Sequence, residues 1–153
     1  MGTDKVAAFV DRLAAPAQAA SSATGIPARF IIGQAALESG WGKREIKNTD
    51  GSSSHNVFGI KASSDWTGKT TNAVTTEFVN GKPQKVVEKF RSYDSYEDAL
   101  TDYASVLKSN PRYAPVVQAS RDAAGFAHGM QKAGYATDPQ YAKKLISIMR
   151  HIA

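Results

Sequence analysis

Helical spacing of apolar residues runs through most of this chain and is broken once. Between Thr70 and Tyr93 the composition turns to Val, Thr and Phe, with Asn80-Gly81 midway. An Asn-Gly pair inside such a run is the strongest short-range signal for a two-residue hairpin. A helical chain holding one hairpin restricts the fold to α+β, mostly helical with a small β-hairpin lobe. At 153 residues the chain fits one domain, residues 1–153, with a sizeable core. Val6, Phe9, Val10 and Leu13 keep helical spacing, and Pro16 is expected to kink or end that helix near Ala15. A second piece runs from Ala17 to Thr24, closed by Gly25, and Asn48 to Ser54 reads as an exposed loop. Pro83 implies an edge position for the second strand. Asp94 is placed to cap a helix carrying Tyr96, Leu100, Tyr103 and Leu107. Pro111 opens a short helix, Asp122 to Lys132 forms another, and the last runs from Asp138-Pro139 to His151. The sequence holds no internal repeat and no linker.

Chemistry concentrates in Ala36-Leu37-Glu38-Ser39-Gly40-Trp41-Gly42. Helical counting back from Glu38 reaches Ala35, Gln34 and Ile31, so this carboxylate projects from the inward stripe of a helix that starts near Pro27. Gly40 and Gly42 stop the helix just beyond it. Loss of water and the negative end of the helix dipole both disfavour the ionised carboxylate and raise its pKa, as a general acid near neutral pH requires. The plain alternative is a solvated or ion-paired glutamate at a helix end. Set against that, tight backbone and a large aromatic plate sit beside this one, as sugar-cleaving sites are commonly furnished.

Three blocks, in order, carry a specific likeness: Gln34 to Gly42, Asn56-Val-Phe-Gly-Ile-Lys61, and Gly134-Tyr-Ala-Thr-Asp-Pro-Gln-Tyr-Ala142. Together they resemble the motifs of the lysozyme-like glucosaminidases, glycoside hydrolase family 73, and frame nearly the whole chain. The resemblance implies a lysozyme-like fold with the hairpin over a substrate cleft. It also implies hydrolysis of β-1,4 bonds in peptidoglycan glycan strands, as an endo-β-N-acetylglucosaminidase. Members of this kind that serve flagellar assembly open the wall for the rod, which implies a periplasmic location and flagellar rod proteins as partners. On the same fold, a lytic transglycosylase or muramidase is the nearer alternative. A non-catalytic wall-binding assembly module is the more distant one, and it has no need of a desolvated acid.

The hairpin supplies a second carboxylate. A two-residue turn at Asn80-Gly81 sets Glu77 opposite Gln84, with Thr75 and Val79 on its own face. An ordinary exposed strand glutamate is the alternative for Glu77; Glu88, and more weakly Asp65 beside Trp66, are the other choices. The family pattern hangs a hairpin glutamate over the cleft opposite the helix glutamate. Tyr135 is the third catalytic candidate: it lies in a loop among small residues, and the resemblance places it near Glu38. A core aromatic is its plain alternative. Trp41 is either a floor for the sugar or a wedge in the core. Asn56 and Phe58 either line the cleft, with Asn56 bonding an N-acetyl group, or form a tight turn. Thr137 and Tyr141 complete the expected substrate-binding set, Tyr141 being chiefly packing at the cleft edge. Carboxyls about 5–5.5 Å apart imply a retaining nucleophile, about 6.5–9.5 Å an inverting base; attack by the substrate's own acetamido group is a third route.

Composition removes several other classes. There is no cysteine, so no disulfide framework and no thiolate zinc site. The three histidines, His55, His128 and His151, show no metal-ligand spacing, and no metal or cofactor is assigned. Gly68-Lys69-Thr70 imitates the end of a phosphate loop, but Ser63 stands where its first glycine belongs. The serines beside His55 lack a nucleophile elbow. The net charge of +5 comes from scattered lysines and arginines without an aromatic stripe, which argues against nucleic acid. It suits either a plain lysine surplus or an anionic polymer such as the cell wall. No apolar run approaches the ~20 residues of a membrane span. Met1-Gly2-Thr3-Asp4 leads straight into an amphipathic helix without a cleavable signal. That leaves a cytosolic protein, one exported by another route, or a domain excised from a longer chain, which the resemblance favours.

Overall fold

The computed structural model describes residues 3–152. Among them are six helices of more than one turn, α1 (Thr3–Thr24), α2 (Ala28–Ser39), α3 (Tyr96–Ser109), α4 (Ala114–Ala119), α5 (Ala123–Lys132) and α6 (Tyr141–Met149). One antiparallel ribbon, β1 (Thr70–Val79) with β2 (Lys82–Arg91), is inserted between α2 and α3. The α+β expectation holds.

Helix α2 is the axis of the body. Phe30 to Ala36 are all buried, which an amphipathic surface helix does not do. It packs on α1 on one side and α6 on another, while α1 also meets α3 and α6 meets α5. Phe30 stacks on Phe126 of α5 with ring centroids 5.4 Å apart. Truncating a side chain buried as completely as Phe30 or Ile31 costs about 2–5 kcal/mol.

Three sequence expectations about element ends need correction. Helix α1 runs unbroken through Pro16. Its stripe of Phe9, Leu13, Ala17, Ala20 and Thr24 is buried on both sides of the proline, so packing against α2 and α3 outweighs the missing N–H. Ser95, not Asp94, caps α3, its hydroxyl accepting from the Asp98 N–H at 3.0 Å. Asp94 pairs with Lys69 instead. Helix α6 starts at Tyr141, later than Asp138-Pro139, because Asp138 folds into a turn that accepts the Gln140 N–H on its carboxylate and the Tyr141 N–H on its carbonyl.

The ribbon follows the expected register, with Glu77 opposite Gln84. Asn80 and Gly81 both have positive φ (54° and 77°), the backbone of a two-residue turn whose twist matches the strands. Pro83 faces Phe78 at a pair whose N–H groups point outward, so its missing donor leaves no ladder gap. At the base, Thr71 and Phe90 are buried, and Phe90 bridges Lys61. The Arg91 guanidinium grips both oxygens of Asp102 on α3, at 3.2 and 2.9 Å, tying the lobe to the body.

Candidate active site

Glu38 occupies the last turn of α2, half-buried, just before a sharp reversal. Gly40 caps the helix in the left-handed region, and Trp41 follows with φ 59°, a conformation costly for a bulky side chain. Bonds hold the turn in place: the Trp41 N–H to the Ala36 carbonyl at 2.9 Å, and the Gly42 N–H to the Ser39 hydroxyl at 3.0 Å. Burial raises the Glu38 pKa to about 7. The Tyr141 hydroxyl opposes that as a hydrogen-bonding neighbour, and the negative charges of Glu77 and Asp138 add to it. Those influences outline the site, on which the end of α2, the ribbon and the loop before α6 converge.

The loop of residues 56–61 passes directly over the carboxylate. At Gly59 (φ +66°) an added Cβ would sit 3.4 Å from Glu38 Oε1, so a side chain here would be both strained and in contact with the acid. Asn56 and Phe58, expected in the cleft wall, are core residues. Asn56 is 2% exposed, and its carboxamide donates to the Ile60 and Arg91 carbonyls (both 2.9 Å) while accepting the Ile60 N–H at 3.0 Å. Both of its N–H groups are spent within the fold and the side chain is buried; it is the tight-turn residue, clamping the loop to β2. Phe58 is buried and stacked on Tyr103 at 4.0 Å.

Glu77 reaches the site from β1. Its carboxylate binds Lys61 Nζ at 2.6 Å and accepts the Thr137 hydroxyl at 2.8 Å. Partial burial pushes its pKa up, but the bonds to Lys61 and Thr137 and the lysine charge win, so it lies below the usual range. Two carboxylates near one another are thus driven apart, one proton-holding and one ionised. Glu88 lies four register positions away, opposite Ala73, and is not among the charges acting on Glu38. Asp65 is exposed, bonded to the Ser63 hydroxyl.

Thr137 joins two elements: it accepts the outward Phe78 N–H at 2.9 Å and donates to Glu77. Tyr135 donates its O–H to the Phe58 carbonyl at 2.9 Å, beside Gly59, and the Glu38 charge is among the influences that raise its pKa after burial and Tyr141. Tyr141 is 3% exposed and stacks near Tyr135, with ring centroids 6.1 Å apart; its place is under Glu38 rather than at the cleft edge. Trp41 is half-buried and edge-on to Phe9 of α1, with ring centroids 5.8 Å apart, so part of the indole packs against the core. Local spacing assigns no role to Lys61, Gly59 or Asp138. All three lie inside the second and third blocks, where spacing marks a segment but not a partner. Among the described residues no group of three or more His, Asp or Glu converges as metal ligands, and no helix is long and apolar enough to cross a membrane.

Comparison with known proteins gives a consistent result. The family model for glucosaminidase, described as mannosyl-glycoprotein endo-beta-N-acetylglucosaminidase, matches residues 14–153. The peptidoglycan hydrolase FlgJ of Escherichia coli K12 is 50% identical over 145 residues, which is 95% of this chain and 46% of that protein. The chain therefore spans about half the length of this curated relative. A crystal structure of a peptidoglycan hydrolase mutant from Sphingomonas sp. A1 superposes with a TM-score of 0.88 at 50% identity, covering 93% of this chain and 91% of that one. The C-terminally truncated glycoside hydrolase domain of Salmonella typhimurium FlgJ gives 0.75 at 51% identity, covering 93% of each. The fold is the lysozyme-like one.

Proposed function

The chain belongs to the glucosaminidase family, and from that footing we propose that it hydrolyses β-1,4 bonds of peptidoglycan on the N-acetylglucosamine side, cutting within the strand. The observation that carries this reading is the pair of carboxylates: Glu38, with a pKa of about 7, and Glu77, held ionised by Lys61 and Thr137. Glycoside hydrolysis needs one carboxyl group to give a proton to the leaving oxygen and one to meet positive charge on the sugar. Glu38 takes the first role. With a pKa of about 7 it keeps a substantial protonated fraction at neutral pH, and that form donates to the glycosidic oxygen as the bond breaks. Glu77 takes the second, activating water or stabilising the oxocarbenium-like centre from the opposite wall. Tyr135 assists by fixing the Phe58-Gly59 peptide beside the acid, and Thr137 by holding Glu77.

The wall fragments released by the protein test this directly. New reducing-end N-acetylglucosamine, found by mass analysis of the muropeptides, supports the proposal. Reducing-end N-acetylmuramic acid replaces it with a muramidase, and a 1,6-anhydro end with a lytic transglycosylase. No new ends at all would leave a wall-binding module. The likeness to FlgJ further supports a periplasmic setting in a longer protein that opens the wall for flagellar rod assembly, with rod proteins as partners. Cross-linking to rod proteins in cells tests that assignment separately.

A further inference from the structure

The segment Gly59-Ile60-Lys61 touches both carboxylates of the site, one at each end. At Gly59 the backbone lies against the acid, where a built Cβ would stand 3.4 Å from Glu38 Oε1. Two residues on, Lys61 Nζ binds Glu77 Oε1 at 2.6 Å. Both backbone groups of the residue between them are fixed. The Ile60 N–H donates to the Asn56 side chain at 3.0 Å. Its carbonyl accepts from that same side chain at 2.9 Å and from the Arg91 N–H at 3.1 Å. A backbone bonded on both sides to a buried residue and to β2 is stiff.

The ion pair also spans a long stretch of the ribbon. Lys61 pairs with Phe90, and Phe90 with Thr71, so Lys61 starts level with the base of β1. From Thr71 to Glu77 is about 20 Å of strand if the strand is straight. A lysine and a glutamate together do not bridge that length, so the ribbon curls toward the face that carries Glu77. The bonds that hold the curl near its tip come from Lys61 and Thr137.

We propose that Gly59-Ile60-Lys61 is the spacer that sets the separation of the two carboxylates, with Lys61 a positioning residue whose length, beyond its charge, brings Glu77 to its working distance from Glu38. The proposal rests on the reading of Glu38 as the acid and Glu77 as its partner.

The charged groups near Glu77 are Lys61 from the loop, Glu38 from α2, and the Asp138–Lys144 pair from the last loop and α6. On β2, Lys82 opposes Val79, Lys85 is bonded to Thr76 and Glu88 opposes Ala73. Among the described residues Lys61 alone forms an ion pair with the Glu77 carboxylate. Removing its ammonium withdraws support from the ionised form, so the acid limb of the turnover profile moves to higher pH. Length acts separately: an ammonium carried one methylene too far keeps the charge but displaces the carboxylate.

The chain has no cysteine, so Lys61→Cys gives the protein a single thiol. Alkylation with 2-bromoethylamine rebuilds an ammonium at the length of lysine, and 3-bromopropylamine places it one methylene further out. Mass analysis checks that each reaction is complete, and thermal melts check the fold. The experiment compares pH profiles of kcat and KM on purified wall fragments for the parent, Lys61→Cys, both adducts and Glu77→Gln. Lys61→Cys is expected to lose at least about tenfold in kcat with KM nearly unmoved, and its acid limb to move up. The aminoethyl adduct should recover both. The aminopropyl adduct should return the limb to its parent position yet stay at least about tenfold low in kcat, a split that charge alone would not produce. Should Lys61→Cys fail to fold, Lys61→Arg, with its longer planar head, is expected to keep the limb and lose kcat in the same way.

Equal kcat for the two adducts overturns the spacer, as does parent kcat in Lys61→Arg or in folded Lys61→Cys. An aminoethyl adduct no better than the bare thiol overturns it too. If Glu77→Gln is weak in that same series, the reading of Glu77 survives the loss of the spacer. Parent turnover in Glu77→Gln removes that reading and the proposal with it.

Discussion

Burial makes ionised Glu38 an unfavourable state in this fold. Its native pKa of about 7, against an ordinary value of 4.5, means the folded protein binds this proton more tightly than the unfolded chain. Its contribution to stability is complete below pH 4.5 and is lost as pH climbs through 7. Glu38→Gln, which cannot ionise, should therefore be more stable than the parent at pH 8 by about 1–3 kcal/mol, with little difference at pH 4. Thermal melts at the two values check this, and equal melting points at pH 8 would refute the desolvated acid. The same variant should lose at least about a hundredfold in wall lysis. Tyr135→Phe is a finer probe. Its ring is kept while the bond to the Phe58 carbonyl is lost, so turnover should fall several-fold, about 1 kcal/mol, with KM nearly unmoved. Unchanged turnover would reduce Tyr135 to packing.

At the scale of elements, the ribbon brings Glu77 to Glu38, and a threonine from a different loop holds the ribbon's end. Glu77→Gln should cut turnover at least about tenfold, while stability stays within about 0.5 kcal/mol as for surface changes. Glu88→Gln is the control, and a collapse there instead would move the second carboxylate along the strand. Thr137→Val keeps the volume and removes both the acceptor for the Phe78 N–H and the donor to Glu77. Because the contact is exposed, its loss should leave the melting point almost unchanged. Turnover should still drop a few-fold as Glu77 loses its fixed position. Hydrogen exchange at the Phe78 amide supplies the structural readout: faster exchange is expected in the variant, and unaltered exchange would contradict a tether at this point.

For the molecule as a whole, stability comes from helices wrapped around α2, with a proline retained inside α1. An interior proline costs about 3 kcal/mol relative to alanine, partly offset by its restraint on the unfolded chain. Pro16→Ala should therefore stabilise the protein by about 1–2 kcal/mol in urea titration, since the buried stripe of α1 already runs through this position. A loss of stability would mean that the proline shapes α1 to fit its neighbours.

Much of this architecture is legible in the amino-acid sequence alone. Glu38 at a helix end, the two-residue turn, the Glu77 to Gln84 register and the run of helices all follow from local rules: a period of 3.6 or 2, and residues that accept positive φ. What local rules miss shares one cause. Asn56 and Phe58 look like cleft residues because they neighbour the site in one short block of sequence, but their side chains turn into the core to anchor the loop that covers Glu38. Pro16 looks like a helix end because its missing N–H is a local fact, whereas the stripe that overrides it depends on α2 and α3. Lys61 pairs with Glu77 and Thr137 with both Glu77 and Phe78 across separations no periodicity encodes. The chemical types of the acid and its partner can be read along the chain. Their opposed proton affinities cannot, because desolvation and charge act through space, and only the packed molecule decides what stands beside a carboxylate.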